Sequence, residues 1–198
     1  MACATCAEPA RTRLLDAALP IDDQLASIRE AMGPGCSVLL QASPGAGKTT
    51  RVPLTLLEAC GAEGRLLLIE PRRLATRTAA ARLAAGLGEA VGERVGYSVR
   101  LERRCSARTR LEVLTAGLFL RRLQADPALE GVACVIVDEV HERGADTDLA
   151  LALLQESRSL LRPDLRLLLM SATLDLEPLA RSEEHTSELQ SPCNLVCR

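Results

Sequence analysis

Ten consecutive residues, Gln41 to Thr50, read Q-A-S-P-G-A-G-K-T-T and are entered from the apolar run Ser37-Val38-Leu39-Leu40. A buried strand, a glycine-rich turn and a G-K-T that opens a helix make a phosphate-binding loop. Glycines let successive backbone N–H groups curl around a phosphate, and the following helix points the positive end of its dipole at the same place. In such a loop Ala42, Ser43, Pro44, Gly45, Ala46 and Gly47 form the curl and Lys48 reaches the β- and γ-phosphates of ATP. The Thr49 hydroxyl ligates Mg2+, and Thr50 completes the nucleotide-binding stretch. The pattern asks for glycine at position 42, where this chain has Ala42; Gly45 and Gly47, nearest the lysine, are in place, so the departure is read as tolerated. Lys48 is the only lysine beside 23 arginines, kept where the broad guanidinium fork would not fit.

A second polar cluster, Asp138-Glu139-Val140-His141-Glu142-Arg143, ends the apolar run Cys134-Val135-Ile136-Val137. A carboxylate there can hold Mg2+ opposite Thr49, and its neighbour can orient or deprotonate an attacking water. Asp138 is assigned to the metal and Glu139 to the water. An acidic helix N-terminus would give the same letters; the phosphate loop upstream favours the catalytic assignment.

These residues need elements to carry them. Ile21, Leu25, Ile28 and Met32 recur at helical spacing before Gly33-Pro34-Gly35. A helix is expected from the phosphate loop to about Cys60, a buried strand at Leu66–Ile69 closed by Glu70-Pro71, and a helix from Leu74 to about Ala85. Short strands follow at Val95–Val99 and Leu111–Leu114, joined by the arginine-rich stretch Arg100–Arg110. Thr115 opens a helix to about Gln124; Cys134–Val137 is a strand; a helix runs from about Asp148 to Leu161; and Leu167–Met170 is a strand leading to Ser171-Ala172-Thr173. Apolar strands alternating with helices imply an α/β fold, a parallel sheet with helices on both faces. The polar signatures fall at the carboxyl ends of the strands, where such sheets bind ligands.

The 198 residues suit one main domain. Tyr97 and Phe119 are the only aromatics, so the core must be built from Leu, Val, Ile and Ala. Net charge is −2, but residues 65–122 hold 13 Arg and no Lys against five Glu and no Asp, a stretch suited to a polyanion. No apolar run is long enough to span a membrane, and the N-terminus lacks the apolar core of a signal peptide. Cys3-x-x-Cys6 and Cys193-x-x-x-Cys197 lie at opposite ends, whereas zinc ligand pairs usually sit in one compact module, so no zinc site is expected. Cys36, Cys60, Cys105 and Cys134 read as small buried hydrophobes in a reduced cytoplasm.

The motifs together resemble the DEAH/DExH helicases of superfamily 2, P-loop NTPases with a RecA-like fold. V-D-E-V-H-E-R resembles motif II, Glu70-Pro71-Arg72-Arg73-Leu74-Ala75 motif Ia, and Val95-Gly96-Tyr97-Ser98-Val99-Arg100 the V-G-Y-x-I-R segment. Thr115-Ala116-Gly117-Leu118-Phe119-Leu120-Arg121 resembles motif Ib and Ser171-Ala172-Thr173 motif III. With Q-A-x-P-G-A-G-K-T-T-R-V-P in front, the likeness is to HrpB-type bacterial members and covers roughly residues 20–180. It implies that Arg72, Arg73, Thr115 and the backbone around Gly117 touch nucleic-acid phosphates, and that Arg82 stacks on the adenine. It also implies that Ser171 and Thr173 couple nucleotide state to a second RecA-like domain through His141. Solvated arginines and a Thr115 helix cap are the plainer alternatives. The implied activity is ATP hydrolysis coupled to nucleic-acid unwinding or remodelling, with single-stranded RNA as partner. Scarcity of aromatic stacking platforms implies a strand held by its backbone without sequence readout. A non-catalytic nucleotide or nucleic-acid binding module, or another P-loop ATPase, are the alternatives.

Residues 1–20 have no clear period and are expected to be a loose extension before a domain at 21–180. Residues 181–198 change character, with the chain's only Asn (Asn194) and its only His outside motif II (His185). Arg181 through Ser191 resembles a translated sequencing-library adapter, so the tail is expected to carry no biological role. The second RecA-like domain that the resemblance calls for is then missing, and the chain by itself is expected to be nearly inactive.

Overall fold

Leu66, Leu67, Leu68 and Ile69 are consecutive and all buried, which a strand achieves only when both of its faces are covered. The computed structural model, which describes residues 18–60, 64–172 and 193–196, shows how they are covered. In chain order the elements are α1 (Leu25–Ala31), β1 (Ser37–Gln41), α2 (Lys48–Cys60), β2 (Arg65–Glu70), α3 (Arg73–Gly86), β3 (Val95–Val99), β4 (Glu102–Arg104), β5 (Leu111–Thr115), α4 (Ala116–Ala125), β6 (Val132–Val137), α5 (Ala145–Leu160), β7 (Arg166–Ser171) and β8 (Cys193–Val196). The strands form one sheet in the order β4-β3-β5-β2-β6-β7-β1-β8. Side chains alternate between its faces. Leu66 and Leu68 join Val38, Leu40 and Ile136 beneath residues of α1 to α3, such as Ile28, Leu56 and Leu83. Leu67 and Ile69 join Val135, Val137 and Leu167 beneath Phe119 and Leu123 of α4 and Leu154 of α5. The α/β expectation, helices on both faces, is what the chain adopts.

Three elements differ from the sequence reading. Within the stretch expected to be a mere connection, Glu102–Arg104 forms β4, antiparallel to β3, so the sheet is mostly rather than wholly parallel. Leu101 turns the chain with φ 69°, and Glu102 accepts from the Tyr97 hydroxyl while pairing with Arg77. β4 passes so close that a Cβ on Gly96 would stand 2.5 Å from Arg104 O, which explains the glycine of V-G-Y. Helix α5 begins at Ala145, ahead of the expected Asp148, because Asp146 and Asp148 both suit the positive end of a first turn. Inside the tail, Cys193–Val196 runs parallel to β1 at the sheet edge, where no period was read.

The parallel register brings the polar strand ends to one edge. Gln41 lies beside Ser171 and Glu70 beside Thr115. The Asp138 N–H donates to Ile69 O. At the opposite ends of the strands, arginines serve structure instead. Arg158 donates to Gly35 O, Leu165 O and Ser37 Oγ, and Arg162 to the carbonyls of Ala128, Leu129 and Val132.

Candidate nucleotide-binding and catalytic site

β1 delivers the chain to a loop whose Ser43, Pro44 and Gly45 are exposed while Ala42 and Ala46 are buried. Gly45 and Gly47 have φ of 81° and 98°, the left-handed region that glycine enters freely. Ala42 does not share that conformation: its φ is negative, its methyl is buried, and its N–H donates to Ser171 O. The missing glycine of the motif is thereby explained, since nothing at position 42 requires one. Helix α2 then starts at Lys48, and its first N–H groups have no acceptor within the helix.

Lys48 is 4% exposed, and its Nζ donates to Ala42 O at 2.6 Å and Ser171 O at 3.2 Å. The ammonium therefore sits inside the loop, between the ends of β1 and β7. Next to it Thr49 Oγ1 donates to Asp138 Oδ2 at 2.5 Å, joining the phosphate loop to the D-E-V-H segment. One hydroxyl and one carboxylate are the hard oxygen ligands that Mg2+ prefers, its remaining positions going to water and phosphate. The donor set fits that ion. Asp138 is buried, which pushes its pKa up; the Thr49 hydrogen bond works against that rise.

Glu139 follows in a left-handed conformation, φ 51° and ψ 40°, unusual for a side chain with a Cβ. Its N–H donates to Asp138 Oδ1 at 2.8 Å, and its Oε2 lies 3.3 Å from His141 Nδ1. The same ring nitrogen stands 3.4 Å from both Ser171 Oγ and the Ala172 N–H. His141 thus touches both the carboxylate assigned to water and the S-A-T segment. Thr173 lies outside the described residues, as do Cys3, Cys6 and Cys197.

Of the residues assigned to nucleic acid, Arg72 and Arg73 are exposed where β2 gives way to α3. Arg72 pairs with Glu142 at 3.0 Å. Thr115 occupies the N-cap position of α4 but makes no side-chain cap hydrogen bond, so the plain capping role is not realised. Gly117, on the first turn of α4, faces Asp146: a Cβ there would stand 2.9 Å from its Oδ2. Arg82 is exposed further along α3, the helix that packs on α2.

Two site features escaped the sequence reading. Glu70, at the end of β2, is 3% exposed, and burial, followed by the charges of Asp138, Glu139 and Glu142, pushes its pKa up to about 8. The signal was a charged residue closing an otherwise apolar strand. Ser171 is assigned from the sequence to coupling nucleotide state, and its carbonyl also holds Lys48; a sequence cannot signal a backbone acceptor.

The chain matches the model of the DEAD/DEAH box helicase family over residues 21–182. It is 48% identical over 161 residues to the ATP-dependent RNA helicase HrpB of Escherichia coli (strain K12), an alignment covering 81% of this chain and 20% of that protein. It is 43% identical over 169 residues to the ATP-dependent RNA helicase DHX30 of Homo sapiens, covering 82% of this chain and 14% of that protein. A crystal structure of Escherichia coli DEAH/RHA helicase HrpB superposes with a TM-score of 0.83 at 44% identity, covering 91% of this chain and 22% of that one. The chain thus spans a fifth or less of the curated relatives it matches, and its fold is the RecA-like fold of such helicases.

Proposed function

The chain belongs to the DEAD/DEAH box helicase family, and from that premise we propose that the protein it is part of couples ATP hydrolysis to unwinding or remodelling of RNA. The observation that carries this reading is the Thr49–Asp138 hydrogen bond, which unites the two halves of an ATP site from positions 89 residues apart.

In this reading the loop Ala42–Gly47 wraps the phosphates with backbone N–H groups, and Lys48 balances their charge from its buried seat. Thr49 and Asp138 hold Mg2+, which when bound neutralises charge developing on the phosphates. Glu139 orients the attacking water and accepts its proton, with its carboxylate placed by the left-handed turn and by His141. Arg82 stacks on the adenine. His141, Ser171 and Thr173 report nucleotide state to a second domain. Arg72, Arg73, Thr115 and the backbone at Gly117 hold a single strand by its phosphates, so binding falls steeply with salt.

A second RecA-like domain, outside this chain, completes the ATP site. An arginine supplied from elsewhere is worth roughly 10³–10⁵ in turnover for related ATPases, so the chain alone hydrolyses ATP barely and unwinds nothing. Robust RNA-stimulated turnover by the isolated chain would contradict this. We place the protein in the cytoplasm, where thiols such as Cys36 and Cys105 stay reduced. The adapter-like tail plays no part in the function.

A further inference from the structure

Arg72 and Glu142 come from different elements and meet between the two surfaces discussed above. Arg72 is the N-cap of α3, while Glu142 ends the short 3-10 turn Val140–Glu142 that follows Asp138-Glu139. Arg72 Nη2 lies 3.0 Å from Glu142 Oε1, with the arginine side chain 72% exposed and the glutamate 31% exposed.

The turn that Glu142 belongs to is strained. Glu139 at one end has φ 51° and Arg143 at the other has φ 42°, and neither is glycine. Such conformations persist only where the surroundings impose them. The Glu142 N–H closes the turn on Glu139 O at 2.9 Å. Glu142 lies near enough to Glu70 to act on it, beside Asp138 and Glu139, which act on Glu70 as well. Arg72 is the cation that holds Glu142 in this acidic surrounding and, through it, one end of the turn that aims Glu139.

We propose that the Arg72–Glu142 ion pair is a latch between the nucleic-acid surface and the catalytic turn, opened when a backbone phosphate takes Arg72 from Glu142. This rests on the reading above in which Arg72 binds phosphate. A guanidinium pairs with phosphate and with carboxylate through the same fork, so the two compete for it directly. An exposed pair of this kind is weak, and a phosphate can displace it. The Glu112–Arg122 pair, whose glutamate is 1% exposed, is too deeply held to exchange in this way. With Arg72 withdrawn, Glu142 loses the cation that anchors it and the turn is released to move. Glu142 is thereby a positioning residue for Glu139.

The test is a double-mutant cycle on RNA affinity, measured with the full chain by fluorescence anisotropy of a labelled oligouridylate. Both side chains are exposed, so neither substitution threatens the fold. Glu142→Gln frees Arg72 and tightens binding by about threefold, the worth of an exposed ion pair; Arg72→Ala weakens binding. The gain from Glu142→Gln disappears in the Arg72→Ala background. Hydrogen exchange of the 139–143 amides adds a second readout: RNA speeds it in the wild type, and Glu142→Gln speeds it without RNA. An equal gain in both backgrounds, which plain removal of a negative charge would give, overturns the latch and leaves RNA binding standing, as does no gain at all. Failure of the wild-type chain to bind the oligouridylate overturns the latch together with the assignment of Arg72.

Discussion

The Thr49 hydroxyl donates to Asp138 Oδ2 at 2.5 Å, and this contact offsets part of the cost of burying the carboxylate. Asp138 is 2% exposed, and burial raises its pKa. Asp138→Asn keeps the shape and a hydrogen-bond acceptor while removing a buried charge. It is expected to stabilise the chain by about 1 kcal/mol, as relief of strain at functional sites commonly does. Affinity for Mg-nucleotide should meanwhile fall roughly 10–100-fold. Thermal melts and titration with a fluorescent ATP analogue check the two together; a destabilised variant with unchanged affinity would make Asp138 structural.

Gly47 is pinned from outside the loop. Ile21 N–H donates to Ala46 O, and a Cβ on Gly47 would stand 2.7 Å from Leu19 Cδ1 and 3.0 Å from Ile21 Cγ2, at a φ of 98°. Gly47→Ala therefore meets both a left-handed backbone and a packed neighbour, for a loss of about 1–3 kcal/mol. Gly45 has open space around it, so Gly45→Ala meets only the backbone term. Chemical denaturation of the two variants should rank Gly47→Ala as the more damaging.

Glu70 makes stability depend on pH. Its pKa rises from 4.5 unfolded to about 8 folded, chiefly by burial and then by the charges of Asp138, Glu139 and Glu142. Below the lower value both states are protonated and the group is neutral to stability. Between the two values the unfolded chain ionises while the folded one does not, so stability falls as pH rises and levels off above the folded pKa. Glu70→Gln should flatten that decline, with a gain on the order of a few kcal/mol at about pH 8.5 and little at about pH 4. Denaturation midpoints across that range decide; parallel curves for the two proteins would remove Glu70 as the cause.

Glu112 behaves in the opposite way. Burial alone would raise its pKa, but the Ser98 hydroxyl at 2.5 Å and the Arg122 guanidinium outweigh burial and hold it low. Arg122→Ala leaves this 1% exposed carboxylate without its cation and is expected to cost about 3–5 kcal/mol. Equilibrium denaturation measures it, and a loss within that of an ordinary surface arginine would contradict the account.

Much of this was legible in the sequence. The runs at Leu66–Ile69 and Cys134–Val137 announce strands covered on both faces, and the G-A-G-K-T and D-E-V-H letters name residues whose chemistry depends on type and spacing. What escaped depends on what lies next to what. β4 is written Glu-Arg-Arg, polar at every position, and becomes a strand because Tyr97 and Arg77 both reach Glu102. The spare glycine of V-G-Y looked like a motif letter until the passage of Arg104 gave its reason. The arginines of the basic stretch 65–122 divide into those facing outward, such as Arg73 and Arg82, and Arg122, which turns to the buried Glu112. Glu142 drew no attention by itself; only its meeting with Arg72 gives it a role.

The central claim is that Lys48, Thr49, Asp138 and Glu139 form an ATP site answering to nucleic acid. The most direct measurement is steady-state ATP turnover by the intact protein of which this chain is part, with and without single-stranded RNA, beside the same protein carrying Glu139→Gln. The account predicts turnover that RNA stimulates and that Glu139→Gln abolishes while nucleotide binding persists. Turnover indifferent to RNA, or unchanged by Glu139→Gln, would contradict it.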